Sequence, residues 1–165
     1  MILHALLQKI RNFTTTTSAL FVLINVLIVA LNVLLRYVFD IGIVALQELE
    51  WWSYSLIFLL GATATFLEDR HVRIDILIQR LSPSIREKIT LYGTLIFLLP
   101  FCLALLPPAF RFAWNSFLIS EQSSDPGGMP AVYLIKAAIP LSLVLLIIAG
   151  IGTFVQTRLR AQKKQ

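Results

Sequence analysis

Residues 18–35 read SALFVLINVLIVALNVLL, a stretch of 18 residues without a single charged side chain. At 1.5 Å per residue, a helix of this length nearly crosses the roughly 30 Å hydrocarbon core of a bilayer. Three further apolar stretches of similar length follow along the chain. The four predicted transmembrane helices are residues 18–35, 51–67, 89–110 and 131–156. The sequence therefore predicts an all-α integral membrane protein with a single membrane domain.

The composition of the whole chain agrees with a membrane protein. Of the 165 residues, 58% are apolar and only 14% are charged, whereas soluble domains carry roughly 25% charged residues. The net charge of +5 does not indicate nucleic-acid binding, because the basic residues stand in short blocks between the apolar stretches. We therefore expect the phospholipid bilayer as the surroundings of the protein and no nucleic acid as a partner.

The positions of the basic residues predict the orientation in the membrane. Of the 14 lysines and arginines, 11 lie before the first span, between the second and third spans, or after the fourth. Only Arg36 and Arg111 lie on the opposite side, and Lys136 falls within the fourth span. Because cytoplasmic segments carry an excess of lysine and arginine, both termini are predicted to be cytoplasmic. Residues 111–130 then form a loop on the far side, and residues 157–165 form a cytoplasmic tail.

The aromatic residues support this orientation. Trp51, Trp52 and Trp114 all fall near the predicted non-cytoplasmic ends of helices. Their amphipathic rings favour the headgroup layer of a membrane. We therefore expect these tryptophans to anchor the far side of the bundle.

Two shorter segments have the periodicity of helices that lie on a membrane surface. In residues 1–13, leucine and isoleucine recur at the i, i+3, i+4, i+7 spacing, and residues 72–82 place a similar apolar stripe opposite charged residues. Both segments are predicted to be short interfacial amphipathic helices at the cytoplasmic surface. Pro100, inside the third span, predicts a kink or a local loosening of that helix.

Polar residues in the first span indicate a helix face that meets protein. Asn25 and Asn32 are seven positions apart and share a face, which Arg36 continues four positions later. We interpret the two asparagines as hydrogen-bonding groups between helices. Arg36 is expected to pair with Glu48 or Glu50, where the second helix begins.

Lys136 has two interpretations. It lies near the start of the fourth span, so its long side chain can extend to the interface as an anchor. It can also form a buried ion pair with a carboxylate on the same side of the membrane. The candidate carboxylates are Glu48, Glu50, Glu121 and Asp125.

No residue pattern indicates catalysis. The only histidines, His4 and His71, lie outside the spans, so they are not placed to ligate haem within a helix bundle. Cys102 is the only cysteine and lies in an apolar stretch, where it is predicted to be a small buried hydrophobe. Gly61, in a run of small residues, is a predicted helix-packing position. We therefore expect no enzyme activity, no metal and no cofactor in this chain.

Two strings between Asn32 and Leu77, NVLLRYVFD and ELEWWSYSLIFLLGATATFLEDRHVRIDIL, carry a family pattern. They resemble the small membrane subunit of the TRAP transporters, the tripartite ATP-independent periplasmic systems, also called the DctQ-like family. The tryptophans here follow the acidic pair, whereas the family more often places tryptophan before it. The resemblance covers about residues 20–150. Its matching residues are Arg36, Tyr37, Phe39, Glu48, Glu50, Trp51, Leu60, Gly61, Ala62, His71, Val72, Ile74 and Asp75.

The resemblance implies a subunit of a sodium-driven importer of organic acids in the bacterial cytoplasmic (inner) membrane. The implied partners are a large DctM-like membrane subunit, which moves the substrate and holds the sodium ions, and a periplasmic solute-binding protein. The small subunit is then a scaffold for the large one. Residues expected at that subunit interface, or in its structural support, are Asn25, Asn32, Arg36, Glu48, Glu50, Trp51, Trp52, Gly61, His71, Asp75 and Lys136.

The loop at residues 111–130 has two interpretations on this basis. Its acidic residues Glu121 and Asp125 can meet a basic patch on the binding protein, or the loop can pack on its own helices as a cap. Two other functions also remain open for the whole chain. One is an autonomous small four-helix transporter or channel, and the other is a membrane assembly factor.

Overall fold

The computed structural model describes residues 2–68 and 82–162, and every regular element in these ranges is helical. The α-helices are α1 (Ile2–Val38), α2 (Val44–Leu67), α3 (Pro83–Gly93), α4 (Leu99–Leu118) and α5 (Tyr133–Gln162), and a π-helical turn at Thr94–Leu98 joins α3 to α4. Three stretches of the described helices are long and apolar enough to cross a membrane, namely Leu3–Val38, Leu91–Leu118 and Tyr133–Leu159. The chain is therefore a multi-pass membrane protein.

The predicted span at residues 51–67 lies within α2, but α2 is not among these three stretches. Two tryptophans, two serines and a tyrosine make the first half of that segment weakly apolar. The transmembrane span at residues 51–67 therefore stays a prediction.

The first helix corrects the expectation of a separate surface helix at residues 1–13. The structure has one continuous helix from Ile2 to Val38, which at 1.5 Å per residue is about 55 Å long. No glycine or proline interrupts it, and Thr14 keeps its hydroxyl within the helix by donating a hydrogen bond of 2.9 Å to the carbonyl of Ile10. The apolar periodicity of residues 1–13 instead serves packing, because Leu7 is buried where α1 crosses α5.

The third span begins and ends outside its predicted bounds of 89–110. Helical structure runs from Pro83 through the π-helical turn to Leu118. The turn lies directly before Pro100, which has no backbone N–H and cannot donate to the carbonyl four residues earlier. The predicted loosening at Pro100 is therefore confirmed. The predicted interfacial helix at residues 72–82 lies almost entirely outside the described residues.

The helices form an open arrangement around α5. Helix α1 packs along α2, α4 packs mainly along α5, and α5 also contacts α2 and α1. Few side chains are fully enclosed, among them Cys102, as the sequence predicts. Large apolar side chains such as Leu27 (69% exposed) and Phe97 (74% exposed) face outward, which suits a protein whose surroundings are lipid or another membrane subunit.

Candidate functional site at the loop end of the bundle

One end of the bundle carries the α1–α2 connection and the α4–α5 loop, residues 119–132, and is called the loop end here. Helix α4 stops there in a Schellman motif, in which the N–H of Ser120 bonds to the carbonyl of Phe117 and the N–H of Glu121 to that of Ser116, both at 3.0 Å. Ser120 has a φ of 47°, the left-handed conformation that this motif requires. The motif turns the chain from α4 back toward α2 and α5.

A tight turn follows within the loop. The N–H of Gly128 donates to the carbonyl of Asp125 at 2.9 Å, and Gly127 has a φ of 78°. With Pro126 at the second position and glycine at the third, this is a type II turn. The sequence Asp125-Pro126-Gly127-Gly128 is typical of such a turn. The N–H of Ser123 also donates to the carbonyl of Met129 at 3.1 Å, which closes the base of the turn.

The carboxylate of Glu48 fixes this loop to α2. One oxygen accepts a hydrogen bond from the hydroxyl of Ser123, and the other accepts the backbone N–H of Met129 at 2.5 Å. Glu48 precedes the predicted span at 51–67, and these two hydrogen bonds lower the pKa of its carboxyl below the ordinary value for glutamate. The ionised carboxylate is thus the form that holds the loop.

Gly128 allows the close approach between the loop and Glu48. A β-carbon at position 128 would overlap the hydroxyl of Ser123, lie 2.5 Å from its β-carbon, and lie 2.8 Å from Oε1 of Glu48. No side chain fits at this position unless Ser123 or Glu48 moves. Gly128 is therefore required for the close contact with Ser123 and Glu48, whereas Gly127 is required for its positive φ.

A second carboxylate links the loop to α5. The ammonium of Lys136 lies 2.5 Å from Oε2 of Glu121, and the two side chains are 18% and 30% exposed. The ammonium also lies 4.2 Å from the centre of the Phe112 ring, a favourable contact for a cation. The Lys136 ammonium lowers the pKa of the Glu121 carboxyl. Of the two interpretations of Lys136, the structure supports the ion pair.

Glu50, two residues beyond Glu48, links α2 to α1. Asn32 donates its side-chain amide to Oε1 of Glu50 at 2.7 Å, and Asn25 donates to the backbone carbonyl of Glu50 at 2.9 Å. The predicted shared face of the two asparagines is confirmed, since both bond to the neighbouring helix. Arg36 is exposed and, within the described part of the chain, forms no ion pair with either glutamate. The expected pairing of Arg36 is therefore wrong. Asparagine bonds to Glu50 instead, and the loop bonds to Glu48.

The remaining predicted residues divide into exposed and packed positions. Trp51 is 71% exposed, whereas Trp52 is half-buried. Gly61 faces α1, where a β-carbon would lie 3.9 Å from the hydroxyl of Ser18, in agreement with a packing position. Asp125 is exposed at the tip of the loop. His71 and Asp75 lie outside the described residues.

An apolar groove of about 660 Å³ lies between α4 and α5, next to the loop end. An aromatic row lines one side of it. Phe110 stacks on Trp114 with ring centres 6.2 Å apart, Trp114 contacts Phe117 at 5.7 Å, and Phe117 meets Tyr133 of α5 edge-on at 5.4 Å. The sequence predicts a loop at residues 111–130, but helix α4 continues to Leu118. Trp114 and Phe117 therefore lie on the helix and not in a loop.

The polar groups of the loop end bond to one another, whereas the groove next to them presents an apolar surface. Among the residues that the structure describes, no three histidine, cysteine, aspartate or glutamate side chains lie together as metal ligands. The loop contacts of Ser123, Gly128 and Met129 were not anticipated from the sequence. Only the adjacent glycines signal them, because a turn of this type requires one glycine and leaves the second unexplained.

This fold and this site define a helical, multi-pass membrane protein whose polar side chains hold the bundle and its loop together. Residues 25–160, about four-fifths of the chain, match the family of the tripartite ATP-independent periplasmic transporters, DctQ component. The chain therefore belongs to the DctQ family, whose members are transporter subunits and not a class of enzymes.

A relative from Haemophilus influenzae bears the name of a TRAP transporter small permease protein and is 28% identical over 121 residues, which are 73% of this chain and 74% of the relative. No solved structure matches the chain. The resemblance noted in the sequence is thus confirmed at the level of the family.

Proposed function

We propose that this chain is the small permease subunit of a sodium-driven importer of organic acids, and that it acts as a scaffold for a large membrane subunit. In this proposal the sodium ions and the substrate bind in the large subunit, and a periplasmic binding protein delivers the substrate. The protein lies in the bacterial cytoplasmic membrane with both termini in the cytoplasm. Membership in the DctQ family and the excess of basic residues on one side support these assignments.

One observation carries the scaffold role, namely the set of polar links at the loop end. Glu50 joins α1 to α2, Glu48 joins α2 to the loop, and Glu121 joins the loop to α5 through Lys136. The links form a continuous series across the helices, so the end of the bundle is held in one shape. A subunit that supports a moving partner needs such a fixed shape.

The groove between α4 and α5 is the surface that we assign to the large subunit. Three of the aromatic side chains there are half-exposed or more, namely Phe110 at 59%, Trp114 at 50% and Phe117 at 53%. Aromatic residues in apolar grooves are typical anchors of protein interfaces. Helix α4 packs mainly on α5, so the groove has an open side that a helix of a partner can fill.

The loop is the surface that we assign to the binding protein. Glu121 is engaged by Lys136, so its role is to hold the loop, while exposed Asp125 presents a negative charge at the tip. Contacts between exposed charges steer encounters and weaken with salt. Asp125→Lys is expected to raise the binding-protein concentration needed for half-maximal uptake, most strongly at low salt. An unchanged uptake curve at low and high salt would exclude the loop tip as a docking site.

Co-purification tests the scaffold role. The tagged chain is expressed together with the proposed large subunit, and the amount of large subunit recovered is measured. Trp114→Ala combined with Phe117→Ala is expected to reduce the recovery. Phe101→Ala, which removes a 60% exposed aromatic ring of α4 that is not part of the groove lining, is the matched control and is expected to leave recovery unchanged.

Reconstitution separates the proposal from the two other functions. Sodium-dependent uptake of organic acid into proteoliposomes is expected only when both membrane subunits and the binding protein are present. Uptake by this chain alone would identify an autonomous transporter. Failure of any large membrane subunit to co-purify would favour an assembly factor.

Cysteine labelling tests the orientation. In a Cys102→Ala background, a cysteine at Ser124 is expected to react with a membrane-impermeant reagent in intact spheroplasts, and one at Gln162 is expected to react only after lysis. The reverse pattern would overturn the assigned orientation.

A further inference from the structure

A polar pocket of about 270 Å³ lies at the end of the bundle opposite the loop end. It is formed where the first turns of α1, the end of α2 and the last third of α5 meet. Its polar lining consists of His4, Gln8, Arg11, Thr153, Gln156 and Thr157. The proposed scaffold role uses none of these residues, so the pocket needs an explanation of its own.

Gln156 supplies a donor without an acceptor. Its side-chain nitrogen Nε2 is buried and has no hydrogen-bond partner among the residues that the structure describes. Buried polar groups in proteins are nearly always paired, and an unpaired donor that lines a pocket points to an acceptor that binds there. The required ligand therefore presents oxygen acceptors.

Arg11 supplies the charge. Arg11 lines the pocket, and its guanidinium makes one long, exposed hydrogen bond, of 3.4 Å, to the side chain of Asn12. Among the carboxylates whose side chains the structure describes, none lies within ion-pair distance of it. Glu68, the nearby acid at the end of α2, accepts a hydrogen bond of 3.2 Å from Thr15, one helical turn further along α1. The pocket thus combines a cation that no described carboxylate pairs with several neutral donors, the chemistry that binds a phosphate.

The position of the pocket indicates the source of that phosphate. Leu67, the last residue of α2, and Leu7 supply the apolar part of the lining. The predicted apolar span of α1 begins at Ser18, seven residues beyond Arg11. This depth is where apolar helix surface gives way to headgroups, and basic pockets between helices at this level bind anionic lipids.

We propose that this pocket binds the phosphate of an anionic phospholipid, with Arg11 and the Gln156 amide as its main donors. The lipid joins α1 to α5 at an end of the bundle where, among the described residues, no glutamate links these two helices. The site concerns this chain alone and does not depend on the assignment of the large subunit.

Native mass spectrometry of the full chain in neutral detergent tests the site. Dioleoylphosphatidylglycerol and dioleoylphosphatidylcholine are added separately, and the fraction of protein that retains one lipid is measured. The wild-type chain is expected to retain phosphatidylglycerol in preference. Arg11→Gln is expected to weaken that binding about tenfold, because a charge-assisted contact to phosphate is lost. Gln156→Glu, which places a carboxylate against the phosphate, is expected to have the same effect.

Lys9→Gln is the matched control. It removes the same charge from α1 two positions away, from an exposed side chain that does not line the pocket. It is expected to leave lipid retention unchanged, and thermal unfolding in detergent verifies that each variant is folded. Equal retention of the two lipids, or an equal loss in Lys9→Gln, would overturn the proposal. Displacement of the lipid by inorganic phosphate at matched ionic strength would show a site for free phosphate and would overturn the lipid assignment.

Discussion

Glu48 and Met129 are 81 positions apart in the chain, yet the carboxylate of Glu48 accepts the backbone N–H of Met129 at 2.5 Å. The hydroxyl of Ser123 occupies the other carboxylate oxygen. A single side chain on α2 therefore holds both sides of the turn in the loop that connects α4 to α5. The acidic start of the second helix, which belongs to the family pattern, has a structural function in this chain.

Gly128→Ala is expected to displace the loop. The added methyl group would overlap Ser123 and crowd Glu48, so the loop must move away from α2. Overpacking of this kind typically costs about 1–3 kcal/mol. Thermal unfolding in detergent measures the loss, and faster labelling of a cysteine at Ser124 measures the displacement.

Gly42→Ala is the control for this prediction. Gly42 lies in the α1–α2 connection, where a β-carbon would meet nothing within 4 Å. Neither stability nor labelling is expected to change. If Gly128→Ala behaved like Gly42→Ala, the close contact between the loop and Glu48 would be wrong.

The loop is expected to loosen in acid. The pKa values of Glu48 and Glu121 are lowered in the folded protein. Their contributions to stability are therefore fully present above the ordinary glutamate pKa of about 4.3 and are lost as the pH falls through the lowered values. Labelling of a cysteine at Ser124, measured by a reagent that reacts in acid, is expected to accelerate as the pH falls below the ordinary pKa of glutamate.

Glu48→Gln and Lys136→Met separate the two contributions. Glu48→Gln removes the carboxylate and is expected to leave only the part of the acid response that depends on Glu121. Lys136→Met is expected to return the pKa of Glu121 toward its ordinary value, because the ammonium is the largest cause of its shift. An acid response unaltered in both variants would contradict the assignment of the loop contacts to these carboxylates.

The sequence predicts local features of the loop end well. The seven-residue spacing of Asn25 and Asn32 identifies the face of α1 that meets α2, and the sequence from Asp125 to Gly128 identifies a turn. Both follow from backbone geometry over a few residues, which does not depend on the rest of the fold.

The partners of the charged residues are harder to predict. Glu48 is near Arg36 in the sequence and opposite to it in charge. Its two hydrogen-bond donors nevertheless come from the loop, which only the tertiary structure brings near Glu48. Likewise, the amphipathic pattern of residues 1–13 fits a surface helix as well as a packed one. The deciding contact, between Leu7 and the glycine at position 152 of α5, joins residues from opposite ends of the chain.

Ser120→Gly is expected to stabilise the protein. Ser120 holds a left-handed conformation, with a φ of 47°, at the end of α4. A residue with a β-carbon in this conformation is disfavoured by roughly 1–2 kcal/mol, whereas glycine adopts it without strain. Since glycine also loses more freedom on folding, the expected net gain is below about 1 kcal/mol, seen as a small rise in the unfolding midpoint. Ser124→Gly, at an exposed position of the same loop where no positive φ occurs, is expected to give no such rise.

Gly152→Ala is expected to separate α1 from α5. A β-carbon at position 152 would lie 2.6 Å from Cδ2 and 2.9 Å from Cδ1 of Leu7, which is 6% exposed. Because Leu7 is enclosed at the crossing of the two helices, its side chain cannot simply rotate away, and a cost of about 1–3 kcal/mol is expected.

A second substitution distinguishes this steric contact from a general effect of altering α5. Leu7→Ala creates a space at the crossing and is destabilising alone. Combined with Gly152→Ala, it is expected to cost less than the two single losses added together, because the new methyl group occupies the space that the leucine leaves. Gly93→Ala, at a helical position where a β-carbon would meet nothing within 4 Å, is expected to be neutral or slightly stabilising. Strict additivity of the Leu7 and Gly152 substitutions in thermal unfolding would show that these residues do not touch, and the N-terminal turns of α1 would then not be packed against α5.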